Sequence, residues 1–414
     1  MQRVILHCDL NSFFASVELL EHPELREKPV AVCGNPSTRH GIILAKNEAA
    51  KHFQVKTAET IWQARKKCPD LILLPSHHHK YRHYSKLVNG IYQRYTDLVE
   101  PFGIDESWLD VTGTLHLFGK NGRELADELR EVIRTELGLT ISVGVSYNKV
   151  FAKLGSDYKK PDATTVFSRA QMEELVWPLP VGSMLYVGGR FERQLRELGI
   201  RTIGDLARSD EGLLRKKFGI RGESAWHCAN GDEHEPVRPY HEHRESKSIG
   251  NSITFRRDLV GKRDIQLGFT ALAESVSERM RRHGVHCRTV QIQIRDPAFH
   301  TISRQVTLER SVSLSRELTN TAMALAAHCW DFSKPVRLLA LTAEQLIPIE
   351  QDAEQLTLFP DTAAPAREKQ GRLEDALSSI RGKYGKGSIQ LGSFLGNDLG
   401  LGGSGNKLEN DETD

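Results

Sequence analysis

The chain has 414 residues, more than a single hydrophobic core usually serves, so two to four compact units are expected. Charged residues make up 27% of it, yet the net charge is only +2, which excludes overall basicity as a source of nucleic-acid affinity and leaves local clustering of Lys and Arg. Cys8, Cys33, Cys68, Cys228, Cys287 and Cys329 show no C-x-x-C spacing, and no segment approaches the roughly 18 apolar residues of a membrane span, so a cytoplasmic protein with reduced thiols, no zinc and no membrane partner is expected.

Val4 to Cys8 reads as a short buried strand that ends at Asp9, and Asn11 or Ser12 is placed to cap a helix carrying Phe13, Phe14, Val17 and Leu20. A helical stretch from about His77 to Tyr95 leads into strand-like runs at Leu98 to Gly103 and Ser107 to Val111. A helix near Arg123 to Leu137 and a strand at Thr140 to Val145 follow. Together with the first strand this is a β-α-β-β-α-β order, the ferredoxin-like split unit, with residues 11 to 76 inserted after its first strand. From about Phe167 to Glu235 the pattern is helical, with Gly-containing turns at Val187-Gly188-Gly189 and Leu198-Gly199-Ile200. Between Arg238 and Arg310, fourteen Lys and Arg stand against eight Asp and Glu, and the alternation at Thr289 to Ile294 marks a basic, sheet-containing module. Beyond Leu346 the composition turns polar, with Pro348, Pro360 and Pro365 and a Gly-, Asn- and acid-rich end. Disorder is expected there, apart from a helix at Leu373 to Tyr384.

Three carboxylates converge in this scheme, since Asp9 ends the first strand and Asp105-Glu106 lies between the second and third. Neighbouring strand residues point to opposite faces, so Asp105 and Glu106 share a site only where the chain bends, and Gly103 allows such a bend. Hard Mg²⁺ ions bind oxygen ligands of this kind together with substrate phosphates.

The stretches H-C-D-L-N-S-F-F-A-S-V-E at 7 to 18 and F-G-I-D-E-S-W-L-D-V-T-G at 102 to 113 resemble the two signature motifs of Y-family DNA polymerases. That resemblance implies a low-fidelity, template-directed polymerase acting in translesion synthesis and repair, on primer-template DNA and dNTPs, as a monomer without a proofreading exonuclease. It implies two Mg²⁺ ions on Asp9, the Leu10 carbonyl, Asp105 and Glu106, the last matching the active-site acid. It also implies an α+β multidomain fold: a ferredoxin-like palm (1–10 and 77–166), inserted fingers (11–76), a helix-hairpin-helix thumb (167–235), an α/β little finger (241–346) and a tail (347–414).

On the same resemblance, Phe14 is the steric gate beneath the sugar and Phe13 its neighbour at the nucleotide. S-Y-N-K-V-F-A-K-L-G-S-D-Y-K-K-P at 146 to 161 resembles the family stretch whose last Lys meets the triphosphate, here Lys160, with Lys159 as the alternative. Where many relatives carry Tyr-Glu-Ala-Arg in the fingers, this chain reads Asn47-Glu48-Ala49-Ala50-Lys51, so the Tyr contact is missing and Lys51 keeps a charge without bidentate geometry. Gly188 and Gly189 offer backbone amides to a phosphate, and Arg256, Arg257, Arg281 and Arg282 are expected on the duplex. In the tail, Gln355-Leu356-Thr357-Leu358-Phe359 is similar to the peptide by which bacterial replication proteins bind the sliding clamp, with Gln390 to Phe394 a poorer match.

Two other readings compete. A non-catalytic relative acting as a scaffold is expected to have lost one of Asp9, Asp105 and Glu106, and all three are present. A nucleotidyl cyclase shares a split sheet with paired acids but has no use for the basic module, the clamp-like peptide or Phe14.

Overall fold

Apolar runs too short for helices become strands, and the first of them, β1 (Ile5–Leu10), is buried along its whole length in the computed structural model. In chain order there follow α1 (Phe13–Glu21), β2 (Val30–Cys33), β3 (Ile43–Lys46), α2 (Glu48–His52), α3 (Ile61–Lys67), β4 (Ile72–Pro75), α4 (His78–Tyr92), β5 (Val99–Pro101) and β6 (Glu106–Asp110). Next come α5 (Leu115–Phe118), α6 (Gly122–Leu137), β7 (Ile141–Ser146), α7 (Lys149–Tyr158), β8 (Thr164–Val166), α8 (Gly189–Glu197), α9 (Ile203–Ala207), α10 (Glu211–Phe218) and α11 (Ile220–Ala229). The remainder is β9 (Ser248–Leu259), α12 (Gly261–Arg282), β10 (Val285–Arg295), β11 (Thr301–Val312), α13 (Ser315–Cys329), β12 (Val336–Pro348) and α14 (Ala364–Tyr384). The structure describes residues 3–34, 41–242, 246–352, 364–385 and 387–401. The chain divides into two compact units, the first comprising the described residues 3–34 and 41–242 and the second those from 246 onward.

In the first unit the main sheet has the order β5-β6-β1-β7-β8. Its first four strands are antiparallel neighbours, in the order of the ferredoxin-like split unit, and β8 extends the sheet parallel to β7. Leu125, Leu129 and Ile133 of α6 pack with Val88 and Ile91 of α4 over this sheet. The insertion builds its own three-stranded sheet, β3-β2-β4, around Ala31, Cys33, Ile43, Ala64 and Leu71. Helices α8 to α11 enclose a further core of Phe191, Leu195, Ile203, Leu206 and Leu214.

Neither expected cap of α1 acts as one: Ser12 has a left-handed backbone and its hydroxyl donates to Glu48, while Asn11 bonds Thr140 and Ser142 of the β7 edge. These polar side chains tie the start of α1 to the insertion and to β7 instead.

The second unit is an antiparallel sheet, β11-β10-β12-β9, covered by α12 and α13 around Phe255, Phe269, Leu272, Ile292 and Leu339. The tail departs from the expected disorder. Helix α14 starts nine residues before the expected Leu373, and Phe394, Leu399 and Leu401 are buried in the core of this unit. Polar composition misled because the helix docks through one buried carboxylate rather than an apolar stripe. Glu374 accepts hydrogen bonds from the Ser315 amide (3.1 Å) and hydroxyl (2.7 Å), from Ser277 (3.1 Å) and from Arg281 (2.5 Å). Among the described residues no helix is long and apolar enough to cross a membrane.

Candidate active site

Strand pairing assembles the acids. Asp9 lies directly opposite Glu106 in the β1–β6 ladder, and the Leu10 amide donates to the Asp105 carbonyl at 3.0 Å. Asp105 immediately precedes the first residue of β6, and Gly103 just upstream holds φ +108°, a left-handed bend that suits glycine.

Helix α7 brings the cations. A Cβ at Gly144 of β7 would come within 1.9 Å of the Ala152 carbonyl oxygen, so only glycine there lets the helix lie this close to the sheet. Asn148 caps the helix by accepting from the Phe151 amide at 2.8 Å, and Lys149 is buried against Glu100 at 2.6 Å. Lys153, one turn on, bridges Asp9 Oδ2 (3.0 Å) and Glu106 Oε1 (2.9 Å). Lys160 reaches the same Asp9 oxygen at 2.7 Å, and Asp157 binds both lysines at 3.3 and 2.7 Å. The ammonium groups therefore occupy carboxylate oxygens that suit cations, and an all-oxygen acidic set fits a hard divalent ion. His7, two residues before Asp9 and on the same face of the strand, is fully buried with Asp9 and Glu106 around it.

Burial and the charges of Asp9 and Glu106 push the Asp105 carboxyl up to about 6 from its ordinary 3.8. Because the folded value lies above the ordinary one, ionising Asp105 costs stability. That penalty is absent below about pH 3.8 and fully present above about pH 6. If Asp105 binds a divalent cation it does so ionised, so that binding is expected to weaken as pH falls through about 6 and to release protons there. Calorimetric Mg²⁺ titrations of the free protein above and below that pH measure this, and pH-independent affinity without proton release contradicts it.

Phe14 stacks on Tyr81 of α4, ring centroids 4.0 Å apart and planes at 12°, with His78 edge-on at 5.4 Å. Phe13 is only 3% exposed and belongs to the core under the sheet. Its ring fills the space between α1 and α4 and leaves Phe14 as the accessible aromatic.

Two stretches match models of one family: residues 8–157 the "impB/mucB/samB family" and residues 246–358 its C-terminal domain. The chain is 47% identical to DNA polymerase IV of Acetivibrio thermocellus over 97% of this chain and 99% of that one. It is 39% identical to DNA polymerase IV 1 of Bacillus subtilis over 95% and 93% of the two chains. The chain belongs to the Y-family of DNA polymerases. It is a DNA-directed DNA polymerase of the lesion-bypass type, in the DNA polymerase IV branch, and depends on divalent metal. A Y-family polymerase chimera of Dbh and Dpo4 shares its fold, with a TM-score of 0.73 and 22% identity, over 83% of this chain and 99% of the chimera.

The remaining residues expected from the Y-family pattern sort unevenly. Lys51 is exposed at the end of α2 and paired with Glu48 at 2.6 Å. Gly188 and Gly189 form the exposed N-terminus of α8, where a Cβ would meet nothing within 4 Å. Arg256 is exposed on β9. Arg257 is held by Asp264 (2.6 Å) and Asp398 (2.6 Å), and Arg281 by Glu374, so both guanidinium groups already have carboxylate partners within the protein. Arg282 pairs with Glu278 at 3.3 Å. The clamp-like peptide Gln355 to Phe359 lies outside the described residues, whereas Phe394 of the poorer match is buried and withdrawn from any partner.

His7, Lys153, Ser156 and Asp157 were not singled out from sequence. Helical spacing holds the signal: residues 149, 153, 156, 157 and 160 fall on one side of α7 and just beyond it, facing the strand of Asp9.

Proposed function

We propose that this polymerase transfers a nucleotidyl group from a dNTP to a primer 3′-hydroxyl with two Mg²⁺ ions held by Asp9, the Leu10 carbonyl, Asp105 and Glu106. The register that sets Asp9 opposite Glu106, with Asp105 adjoining, carries the reading. When bound, the cations supply Lewis acidity at the attacking hydroxyl and the leaving pyrophosphate. Glu106 and Asp9 hold the cations, and Lys160, beside Asp9, meets the triphosphate. Phe14, backed by Tyr81, forms the wall against which the sugar rests. Lys51 supplies a further positive charge from the insertion. Primer extension by purified protein on undamaged and abasic templates, with Mg²⁺ and with chelator, tests the whole. Absence of Mg²⁺-dependent incorporation on both templates rejects it.

Duplex affinity is proposed to come from the Gly188-Gly189 amides and exposed arginines of the second unit, Arg256 first and Arg282 with it. Neutralising one phosphate contact lowers the salt slope by about one, so Arg256→Ala is expected to shift the slope of duplex binding by that amount while Arg257→Ala, already ion-paired, shifts it far less. Equal slopes for the two variants, measured by anisotropy over a salt series, contradict the assignment.

Gln355, Leu356, Leu358 and Phe359 are proposed to bind the bacterial sliding clamp, raising processivity through effective concentration rather than faster chemistry. Replacing Leu358 and Phe359 with Ala is expected to remove clamp-stimulated synthesis and leave clamp-free insertion near wild type. Full stimulation of the double variant places the clamp contact elsewhere.

A further inference from the structure

His7 has no solvent exposure, and its ring is set by Trp108, edge-on at 5.3 Å. Its Nδ1 lies 2.9 Å from the Ser156 hydroxyl. Its Nε2 makes no hydrogen bond within the usual limits and faces Glu106 Oε2 at 3.4 Å. A neutral ring carries one proton, and the choice of nitrogen decides what Glu106 meets.

Ser156 has a single hydroxyl proton and two acceptors in reach, the Lys153 carbonyl at 2.8 Å and His7 Nδ1. Donation to the carbonyl leaves Nδ1 as the protonated nitrogen and turns the Nε2 lone pair toward the Glu106 carboxylate. Donation to Nδ1 places the proton on Nε2, where it points at an anion. The second arrangement wins electrostatically, since a charge-assisted contact replaces a repulsive one. It costs little at the carbonyl, because Lys153 sits inside α7, where a helical amide serves that oxygen.

We propose that His7 is a positioning residue for the polymerase reaction: its Nε2–H, directed by Ser156, holds Glu106 Oε2 so that Oε1 is the oxygen presented toward Asp9. The two halves of the geometry agree, for Glu106 Oε1 already shares Lys153 Nζ with Asp9 Oδ2. One carboxylate oxygen is fixed from the protein interior and the other is left for the site, which is how buried supporting groups tune metal-binding carboxylates. The inference rests on Glu106 as a metal-binding acid and adds the group that orients it.

Two measurements test it. In the full-length, metal-free protein with ¹⁵N-labelled histidine, long-range ¹H–¹⁵N spectra, assigned by the signal that His7→Gln removes, are expected to show His7 protonated on Nε2. Protonation on Nδ1 overturns the proposal whatever the variants do. For single-nucleotide insertion, His7→Phe is expected to lower kcat roughly 10- to 100-fold with KM for the dNTP little changed, and His7→Gln, which keeps an N–H near Nε2, to restore most of it. A Phe variant as fast as wild type, or a Gln variant as slow as Phe, also overturns it. The underlying reading fails separately: if Glu106→Ala still extends primers, Glu106 is not the acid at issue. If Glu106→Ala is inactive while His7→Phe is normal, only the role of His7 is lost.

Discussion

Glu106→Ala is expected to abolish Mg²⁺-dependent primer extension while duplex binding and the folding transition persist. Glu106 contributes no apolar packing at the edge of β6, and its carboxylate is engaged by Lys153 Nζ at 2.9 Å and faced by His7 at 3.4 Å. Removing it takes away the carboxylate that faces Asp9 across the ladder and leaves Lys153 to Asp9 and Asp157, with one acid fewer to draw a cation there. Metal-ion catalysis is worth several kcal/mol of transition-state stabilisation, so a loss of at least about 10³-fold in insertion rate is expected. Single-turnover incorporation measures the chemical step, and filter binding with labelled duplex separates it from DNA affinity. Asp105→Ala is expected to behave alike, since Asp105 adjoins Glu106 and its backbone carbonyl bonds the Leu10 amide at 3.0 Å beside Asp9. Retention of wild-type insertion by either variant rejects the metal assignment.

The second large effect belongs to Phe14. Its ring lies flat against Tyr81, whose hydroxyl donates to Glu18 at 2.5 Å, so the stack is braced from behind. A 2′-hydroxyl pressed against a braced ring meets a steric penalty of about 1–3 kcal/mol, the usual cost of overpacking a rigid site. Phe14→Ala is thus expected to cut discrimination between dATP and ATP by roughly 10- to 100-fold in kcat/KM, with insertion of the deoxynucleotide less affected. Tyr81→Leu gives an internal control: it leaves Phe14 in place but removes its backing, and an intermediate loss is expected. Unchanged discrimination in Phe14→Ala assigns the ring to packing alone.

The strand-helix order of the palm was legible in the chain because short apolar runs and helical periodicity are local properties. The expected β-α-β-β-α-β sequence appears in the order β5-β6-β1-β7, and the insertion between the first strand and α4 is where the pattern put it. The placement of the acids in the sheet was likewise readable, since Asp9 and Asp105-Glu106 sit at strand ends whose pairing follows from that order. Their neighbours were not. Lys153, Ser156 and His7 come together through the close approach of α7 to Gly144, a contact between residues far apart in sequence that no local pattern encodes.

The arginines of the second unit make the same distinction from the other side. Sequence alone determined that this region carries an excess of positive charge, because composition needs no fold. Only the tertiary structure decided which charges stay open: Arg257 and Arg281 are matched by Asp398 and Glu374, from a tail whose polar composition suggested disorder. The physical reason is that charge is fixed by residue type, whereas its availability depends on which opposite charge the folded chain brings within about 3 Å, where pairing and desolvation outweigh attraction to a distant phosphate.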